Sequence, residues 1–345
     1  MGHYALVFVG FGNVGRALAR LLLRKRAQLE DGYQITFQVN GIATGRHGMA
    51  IDLRGIDLEA ALACLESGGR LDRFSTLPTP ATILDFIQAC PGDVLFENTP
   101  INHLTGQPAT DHLAAALRQG MHAITANKGP VVHAYAELNR LAHAQGRRFL
   151  FESAVMDGAP IFSLFRGGLP CVELRGFQGI LNSTSNMILE RMESGESLEE
   201  AIVYAQSIGI AETNPLNDVE GWDAAVKVAA LATVLMGVPL RPQDVQRTGI
   251  SAITPAMLQS ARESGQRWKL VCRVQRQGEG LRASVCPEQV PAESVLSNIH
   301  GTSSYVEFAM DVLPGLGIVE GNPSPETTAY GLLADMLNAL REDGV

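Results

Sequence analysis

The sequence predicts an α/β protein in which an N-terminal, doubly wound parallel sheet is followed by a second α/β domain. Three observations support this prediction. A strand, a glycine-rich turn and a helix open the chain; strand-like and helical segments then alternate; and 345 residues are enough for two hydrophobic cores. The composition, 46% hydrophobic and 18% charged, is typical of the well-packed globular domains that this fold class requires.

The opening element carries a glycine pattern. Tyr4–Val9 is a short apolar run of strand-favouring residues, GFGNVG follows at Gly10–Gly15, and RALARLLLRKR continues with helical spacing. In this context the first glycine permits a tight turn, the second lets the backbone approach a pyrophosphate, and the third allows close helix–strand packing. The helix N-terminus then offers free N–H groups to the phosphates. We therefore predict dinucleotide binding, rather than a chance glycine turn, at Gly10, Gly12, Asn13, Val14 and Gly15.

The end of the second strand bears on the choice of dinucleotide. Ile35–Ala43 is the predicted strand, and no acidic residue follows it before Asp52, although an acid there usually holds the ribose 2′-hydroxyl of NAD. Arg46 is available instead, and arginine is the residue type that accommodates a 2′-phosphate. The alternative is that Arg46 is a solvated loop charge. The sequence therefore favours NADP over NAD without excluding NAD.

Two further predicted strands, Asp93–Thr99 and His122–Ala126, are separated by helical segments. This alternation indicates a parallel sheet, in which ligands bind beyond the carboxyl ends of the strands. Asn98, Thr99 and Lys128 fall at those ends, and we expect them near the nicotinamide. The alternative for Lys128 is an ordinary charge on a loop or at a helix end.

Charge, cysteine usage and hydropathy exclude several classes of protein. A net charge of −9 argues against nucleic acid and against an anionic membrane surface as partners. The five cysteines are scattered, with no CxxC pair, and none of the eight histidines forms a zinc-binding pattern such as HExxH. The N-terminus has no signal-type segment, and no uncharged apolar stretch is long enough to span a bilayer. We therefore expect a soluble protein of the cytoplasm.

A lysine interrupts an apolar helix in the second half. From Trp222 to Met236 the only charged residues are Asp223 and Lys227, which are four positions apart and so share one helix face. One interpretation is a structural ion pair with a lysine that reaches out to water. The other interpretation is a substrate site, because three carboxylates and this lysine fall within sixteen residues. A carboxylate-rich site beside a lysine suits an aminated substrate and proton transfer. The residues of this site are Glu212, Asp218, Asp223 and Lys227.

Two more polar segments follow predicted strands. Glu152 directly follows the strand at Arg148–Phe151, and it could join loop carbonyls around a cation or cap a turn. The cluster Asn182–Asn186 follows the strand at Gly176–Leu181 and precedes an amphipathic helix. It contains more polar residues than an N-cap requires.

These residues resemble the homoserine dehydrogenase family over nearly the whole chain. The matching blocks, in order, are GFGNVGR, ITANKGPV, FESAV, GILNSTSN, AQSIGIAETNP, DVEGWDAAVKVAALA and TTAYGLLADM. Their order and spacing are far more specific than any single block. The family reversibly reduces L-aspartate 4-semialdehyde to L-homoserine with NAD(P)H, on the route to threonine, isoleucine and methionine.

The resemblance implies roles for individual residues. Lys128 and Lys227 would be the catalytic lysines, and Asp223 would hold Lys227 and the substrate. The remaining substrate contacts would be Glu212, Asp218 and Thr184. A monovalent cation, sodium or potassium, would be held by Glu152 and the main-chain carbonyls of Val155, Asp157 and Ala159. The family also implies a homodimer. The expected domains are a Rossmann domain at 1–135, a substrate-binding and dimerisation domain at 136–324, and a closing segment, 325–345, packed on the first.

The chain departs from the family pattern in three places. Ser183 stands where the family usually has glycine, Met156-Asp157 replaces small residues, and GLGIVEGNPSPETTA replaces a glycine-rich loop. The sequence also leaves no room for a C-terminal ACT domain or an aspartokinase domain, so we expect no threonine inhibition through an ACT domain. Two alternatives follow: a related dehydrogenase acting on a different amino or 2-oxo aldehyde, and a non-catalytic dinucleotide-binding sensor.

Overall fold

The computed structural model describes residues 1–211 and 215–341. Its contacts divide the chain into two compact units, one formed by Met1–Phe162 with Ser324–Val345 and the other by Ser163–Pro323. The first unit extends past residue 135, the boundary expected from the sequence. The helix Lys128–Ala144 spans that position, and the strand Phe149–Leu150 forms the edge of the first sheet.

The first unit is a six-stranded sheet with helices on both faces. The strands are β1 Gly2–Val9, β2 Ile35–Ala43, β3 Met49–Ile51, β4 Val94–Glu97, β5 His122–Thr125 and β6 Phe149–Leu150. The helices are α1 Asn13–Tyr33, α2 Leu58–Glu66, α3 Ile83–Ala89, α4 Ala109–Arg118 and α5 Lys128–Ala144, and the returning chain adds a last helix at Pro325–Leu340.

The strand order is β3-β2-β1-β4-β5-β6, and every neighbouring pair except β2–β3 is parallel. The predicted doubly wound parallel sheet is therefore confirmed. Strands β2 and β3 lie on one side of β1, and β4, β5 and β6 lie on the other. The order of strands therefore reverses between β1 and β4, and such sheets bind ligands at this switch point. Strand β3 was not predicted. It pairs antiparallel to β2 because the chain turns back through a hairpin in which the Thr44 N–H donates to the Gly48 carbonyl, 3.1 Å away.

The central strand explains why this sheet needs two helical layers. Leu6 and Phe8 of β1 point to one face and Val7 and Val9 to the other, and all four are fully buried. The first pair joins a core with α1, α2 and the last helix, and the second pair joins a core with α3 and α4. The helix at Pro325–Leu340 therefore packs within the first unit although the second unit precedes it in the chain.

The second unit is a mixed α/β domain, as predicted, but its sheet is mainly antiparallel. Its order is β12-β11-β7-β9-β10-β8, with only β8 and β10 parallel. The strands are β7 Leu174–Ile180, β8 Gln246–Arg247, β9 Gln266–Gln277, β10 Gly280–Pro291, β11 Ser304–Met310 and β12 Leu316–Glu320. The helices are α6 Ser183–Glu193, α7 Leu198–Ser207, α8 Leu216–Val219, α9 Trp222–Leu235 and α10 Pro255–Glu263, and the last helix of the first unit is α11. Within the described ranges, no helix has the length and apolar character to cross a membrane.

The packing of α11 gives a test of the fold. A Cβ at Gly331 would lie 2.2 Å from the Ser153 hydroxyl oxygen and 2.8 Å from the Asp157 carbonyl oxygen. We expect Gly331→Ala to lower the free energy of unfolding by about 1–3 kcal/mol, because the backbone must shift to admit the methyl group. The control Gly32→Ala, at a helical glycine with open space around it, should be neutral or stabilising by up to ~1 kcal/mol. Urea denaturation of both variants measures the difference, and a stabilising Gly331→Ala would contradict the packing.

Candidate active site

The glycine turn lies against the end of β4. Gly10 has φ +90°, a left-handed conformation that glycine adopts without strain, and its N–H donates to the Ala43 carbonyl 2.9 Å away. A Cβ at Gly10 would lie 2.5 Å from the Asn98 carbonyl carbon and 2.8 Å from the Thr99 nitrogen. Any larger residue would therefore push the two strand ends apart. The structure brings together the glycine turn, Asn98 and Thr99.

The start of α1 is open. Gly12 is the N-cap, a Cβ there would meet nothing within 4 Å, and the first helical residues, Asn13 and Val14, include no acid. Arg16 adds a positive charge to this turn, since its guanidinium donates to the Gly12 carbonyl at 3.3 Å and to the Asn13 side chain at 3.1 Å. Gly15 packs tightly, because a Cβ at this residue would lie 2.6 Å from the Gly10 carbonyl oxygen. Helix N–H groups, a helix dipole and an arginine suit a phosphate-bearing ligand.

A buried carboxylate supports this edge of the sheet, and it was not predicted. Glu97 is fully buried at the end of β4. Its Oε1 accepts from the Thr99 N–H at 3.0 Å and from the Thr99 hydroxyl, and its Oε2 accepts from the Thr125 hydroxyl at 3.1 Å. The buried His112 places Nδ1 3.6 Å from Oε1. A glutamate that ends a strand usually faces solvent, so this network has little signature in the sequence.

Lys128 lies next to this network. Asn127 is the N-cap of α5, and its side chain accepts from the Gly129 N–H at 2.9 Å and donates to the Thr99 carbonyl at 3.2 Å. Lys128 is therefore the first residue of α5, half-buried and one residue from a side chain that contacts the Thr99 segment.

Arg46 lies at the tip of the hairpin between β2 and β3. It is exposed, and the loop that carries it is held by the Thr44 hydroxyl, which accepts from the His47 N–H at 2.8 Å. The hairpin places this residue directly beyond the carboxyl end of β2.

In the second unit, one amide side chain bridges two carboxylates. Asn182 is the N-cap of α6, and its Oδ1 accepts from the Ser185 N–H at 2.7 Å. Its Nδ2 donates to Asp218 Oδ1 at 2.7 Å and to Asp223 Oδ2 at 3.0 Å. Asn182, the first residue of the polar cluster Asn182–Asn186, therefore has two roles. It caps α6, and it holds the carboxylates of Asp218 and Asp223 together.

Lys227 is directed toward the same place. Its Nζ donates to the Leu181 carbonyl at 2.7 Å and lies 3.3 Å from Asp223 Oδ2, and its side chain is only 15% exposed. A lysine that reaches out to water would be largely exposed at its ammonium end. This ammonium instead lies at the end of β7, beside Asp223 and against the residue that precedes Asn182.

Of the two other expected substrate contacts, the structure describes Thr184 and does not describe Glu212. Thr184 is buried in the first turn of α6, and its hydroxyl donates to the Ile210 carbonyl at 3.2 Å. Glu212 lies outside the described residues. Ser183, the departure from the family pattern, is the first residue of α6 and is half-buried.

The segment expected to bind a cation contains a buried carboxylate. Glu152 is 3% exposed, and its Oε1 accepts from the Phe162 N–H at 2.6 Å. The Ala159 carbonyl accepts from the Ile161 N–H at 2.8 Å. Among the described residues, His, Cys, Asp and Glu side chains form no group of three or more that could hold a metal ion. The expected site differs in kind, since it consists of one carboxylate and three main-chain carbonyls.

Asp157 uses its carboxylate within the first unit. Oδ2 accepts from the Thr327 hydroxyl at 2.9 Å and Oδ1 from the Thr328 hydroxyl at 3.1 Å. This residue, one of the departures from the family pattern, therefore joins its loop to the first turn of α11. Its carboxylate is engaged in these hydrogen bonds. The predicted cation site requires only its main-chain carbonyl.

A second lysine, which was not predicted, is buried in β9. Lys269 is 3% exposed, and its Nζ donates to Asn186 Oδ1 at 2.8 Å and to the Ile299 carbonyl at 2.6 Å. Burial lowers the pKa of Lys269 from the ordinary 10.5 to about 8. The sequence contains the same signal that identified Lys227, a lysine within an apolar run, here WKLVC.

A dinucleotide-binding sheet joined to a unit with carboxylates around a half-buried lysine defines a two-domain, dinucleotide-dependent dehydrogenase. Two family models match the chain, "Homoserine dehydrogenase, NAD binding domain" over residues 10–152 and "Homoserine dehydrogenase" over residues 160–337. The chain belongs to the homoserine dehydrogenase family, whose members are NAD(P)-dependent oxidoreductases acting on CH–OH groups.

Individual relatives agree. The NAD(+)-dependent homoserine dehydrogenase of Pseudomonas canavaninivorans is 34% identical, covering 98% of this chain and 96% of the relative. The homoserine dehydrogenase of Methanocaldococcus jannaschii is 35% identical over 96% and 97%. A solved structure of a hyperthermophilic archaeal homoserine dehydrogenase in complex with NADPH is similar with a TM-score of 0.83, at 26% identity and covering 98% of both chains.

The buried Lys269 makes stability depend on pH. Its lowered pKa means that the unfolded chain binds more protons than the folded one between pH 8 and 10.5. Glu190 and Glu193 oppose the shift and Arg267 adds to it. Relative to Lys269→Met, the wild type should therefore gain up to about 3 kcal/mol in free energy of unfolding as the pH rises through this window.

Urea denaturation of the wild type and Lys269→Met across that pH range measures the gain. Lys25→Met, at a half-buried lysine of α1, is the control and should show no such slope against the wild type. A difference between wild type and Lys269→Met that stays constant with pH would contradict the assignment.

Proposed function

We propose that this protein oxidises L-homoserine reversibly to L-aspartate 4-semialdehyde with NAD(P), on the route to threonine, isoleucine and methionine. The observation that carries the proposal is the cluster at the end of β7, where Asn182 bridges Asp218 and Asp223 and the Lys227 ammonium lies 3.3 Å from Asp223. The names of the full-length relatives support the same substrate.

The cluster offers complementary groups to an amino alcohol. The carboxylates of Asp218 and Glu212 would bind the ammonium group of the substrate, and the Thr184 turn would contact it. The nicotinamide, when bound, supplies or accepts the hydride. In the reductive direction an alkoxide develops at the former aldehyde carbon, and a positioned ammonium stabilises and protonates it.

Lys227 and Lys128 are the two candidates for that ammonium. Asp223 Oδ2 lies 3.3 Å from the Lys227 Nζ, a distance at which the carboxylate would attract and orient the ammonium. We assign Lys227 and Lys128 as the catalytic lysines and Asp223 as the residue that orients Lys227. The binding of the dinucleotide we assign to the glycine turn of α1, Asn98, Thr99 and Lys128, where the Glu97 network holds the backbone.

Replacement of Lys227 tests the reaction assignment. Lys227→Met keeps the apolar stem and removes the ammonium, so kcat for homoserine oxidation should fall by about 100-fold or more. The Kd of the dinucleotide, measured by fluorescence titration, should change less than about twofold because the nucleotide site lies on the first unit. Lys25→Met, at a lysine of α1 outside the site, is the matched control. An unchanged kcat in Lys227→Met would contradict a catalytic role and would indicate that Lys227 forms only a structural ion pair with Asp223.

We propose that the protein accepts both dinucleotides and prefers NADP. The exposed Arg46 beyond β2 supports a contact with the 2′-phosphate. Among residues 44–48, all of which the structure describes, there is no aspartate or glutamate that could bind a ribose 2′-hydroxyl. Relatives are named with both cofactors, one as NAD(+)-dependent and one as an NADPH complex.

The preference depends on Arg46, which gives a direct test. Arg46→Ala should lower kcat/KM with NADP about tenfold or more, as expected for one charge-assisted contact, and leave kcat/KM with NAD nearly unchanged. Arg118→Ala, at the exposed C-terminal end of α4, is the control. Equal losses with the two dinucleotides would contradict a role in reading the 2′-phosphate.

Three further assignments complete the proposal. We propose that a sodium or potassium ion is held by Glu152 and the carbonyls of Val155, Asp157 and Ala159, since a cation would offset the buried carboxylate of Glu152. Equal rates of homoserine oxidation in sodium, potassium and choline chloride would contradict the cation site.

From the family resemblance we propose a homodimer. The five cysteines, none of them in a disulfide, support a location in the cytoplasm.

A further inference from the structure

Lys269 is buried behind the turn that carries Asn182. It sits in β9, is 3% exposed, and among the described residues no carboxylate lies within 4.0 Å of its Nζ. Its two hydrogen-bond acceptors are neutral, the Asn186 side chain and the Ile299 carbonyl. A buried ammonium without a close counter-ion is costly, and methionine would fill the same space without that cost.

Asn186 is fixed by this lysine from one side and by a second segment from the other. Its Nδ2 donates to the Ile299 carbonyl at 3.2 Å and to the Gly301 carbonyl at 2.9 Å, while its Oδ1 accepts from Lys269. The side chain of Asn186 is fully buried, so water cannot replace these contacts.

Asn186 lies on the first turn of α6, and Asn182, which contacts the carboxylates, is the N-cap of the same turn. The Asn186 N–H donates to the Asn182 carbonyl at 3.2 Å, and the Asn182 side chain donates to Asp218 and Asp223. A rotation of the first turn of α6 would therefore move Asn182 away from both carboxylates. Only three hydrogen-bonded steps, through Asn186 and Asn182, separate Lys269 from Asp223.

We propose that Lys269 is a positioning residue for the substrate. By holding Asn186, it fixes the first turn of α6 and keeps Asn182 between Asp218 and Asp223. This inference rests on the proposed function, in which that cluster binds the amino end of homoserine. It assigns Lys269 no contact with the reacting atoms.

The test compares Lys269→Met, Asn186→Ala and the double variant with the wild type. Each single variant should raise KM for homoserine about tenfold, the effect of losing one hydrogen bond to a charged group, with KM for the dinucleotide within about twofold. The double variant should be no worse than the worse single variant, because the lysine acts through the asparagine. Lys269→Gln retains N–H donors and should recover part of the loss. Lys25→Met is the matched lysine control.

The outcomes separate this inference from the proposed function. A folded wild type that does not oxidise homoserine overturns the proposed function and the inference with it. An active wild type beside a Lys269→Met variant with unchanged KM overturns the inference alone, as do additive effects in the double variant or an equal loss of dinucleotide binding. If Lys269→Met shows no cooperative unfolding transition, Lys269→Gln and Asn186→Ala decide by the same KM criterion.

Discussion

The Asp223 carboxylate is the group on which the candidate substrate site depends. It accepts from Asn182 at 3.0 Å and lies 3.3 Å from the Lys227 ammonium, so one acceptor joins the helix α6 to the helix α9. Two carboxylates placed close together repel each other unless a donor or a cation lies between them. Asn182 supplies the donor and Lys227 the cation, and Lys227 is also held at the end of β7 through the carbonyl of Leu181. Without Asp223, Asn182 and Lys227 would each lose a partner.

The first unit solves a similar problem with other residues. Its glycine turn, which we propose binds the phosphates of the dinucleotide, must be open to a ligand and still rigid, and backbone contacts make it so. Gly10 touches the Asn98–Thr99 segment closely enough to exclude a side chain, and Glu97 fixes that segment from inside the sheet. In both units, then, a group buried behind the site fixes the backbone that presents it. Glu97 does this through Thr99, and we infer that Lys269 does it through Asn186.

The sequence was sufficient for features that depend on local spacing. The glycine pattern, the alternation of strands and helices, and the i, i+4 pair of Asp223 and Lys227 each require only neighbours in the chain. It was insufficient for contacts between distant segments. Asn182 meets Asp218 across 36 positions, and Lys269 meets Asn186 across 83, and no periodicity encodes either contact. The hairpin that forms β3 was missed for a smaller reason, since a three-residue strand is too short to show alternation.

The most direct measurement is homoserine oxidation by the purified wild-type protein at alkaline pH, followed as formation of reduced dinucleotide with NADP and with NAD. We expect turnover that depends on homoserine with both dinucleotides, and a higher kcat/KM with NADP. A folded protein that binds the dinucleotide and shows no turnover of homoserine with either would contradict the proposed reaction. The Ser183 position in the first turn of α6 would then be the first place to look for a different substrate.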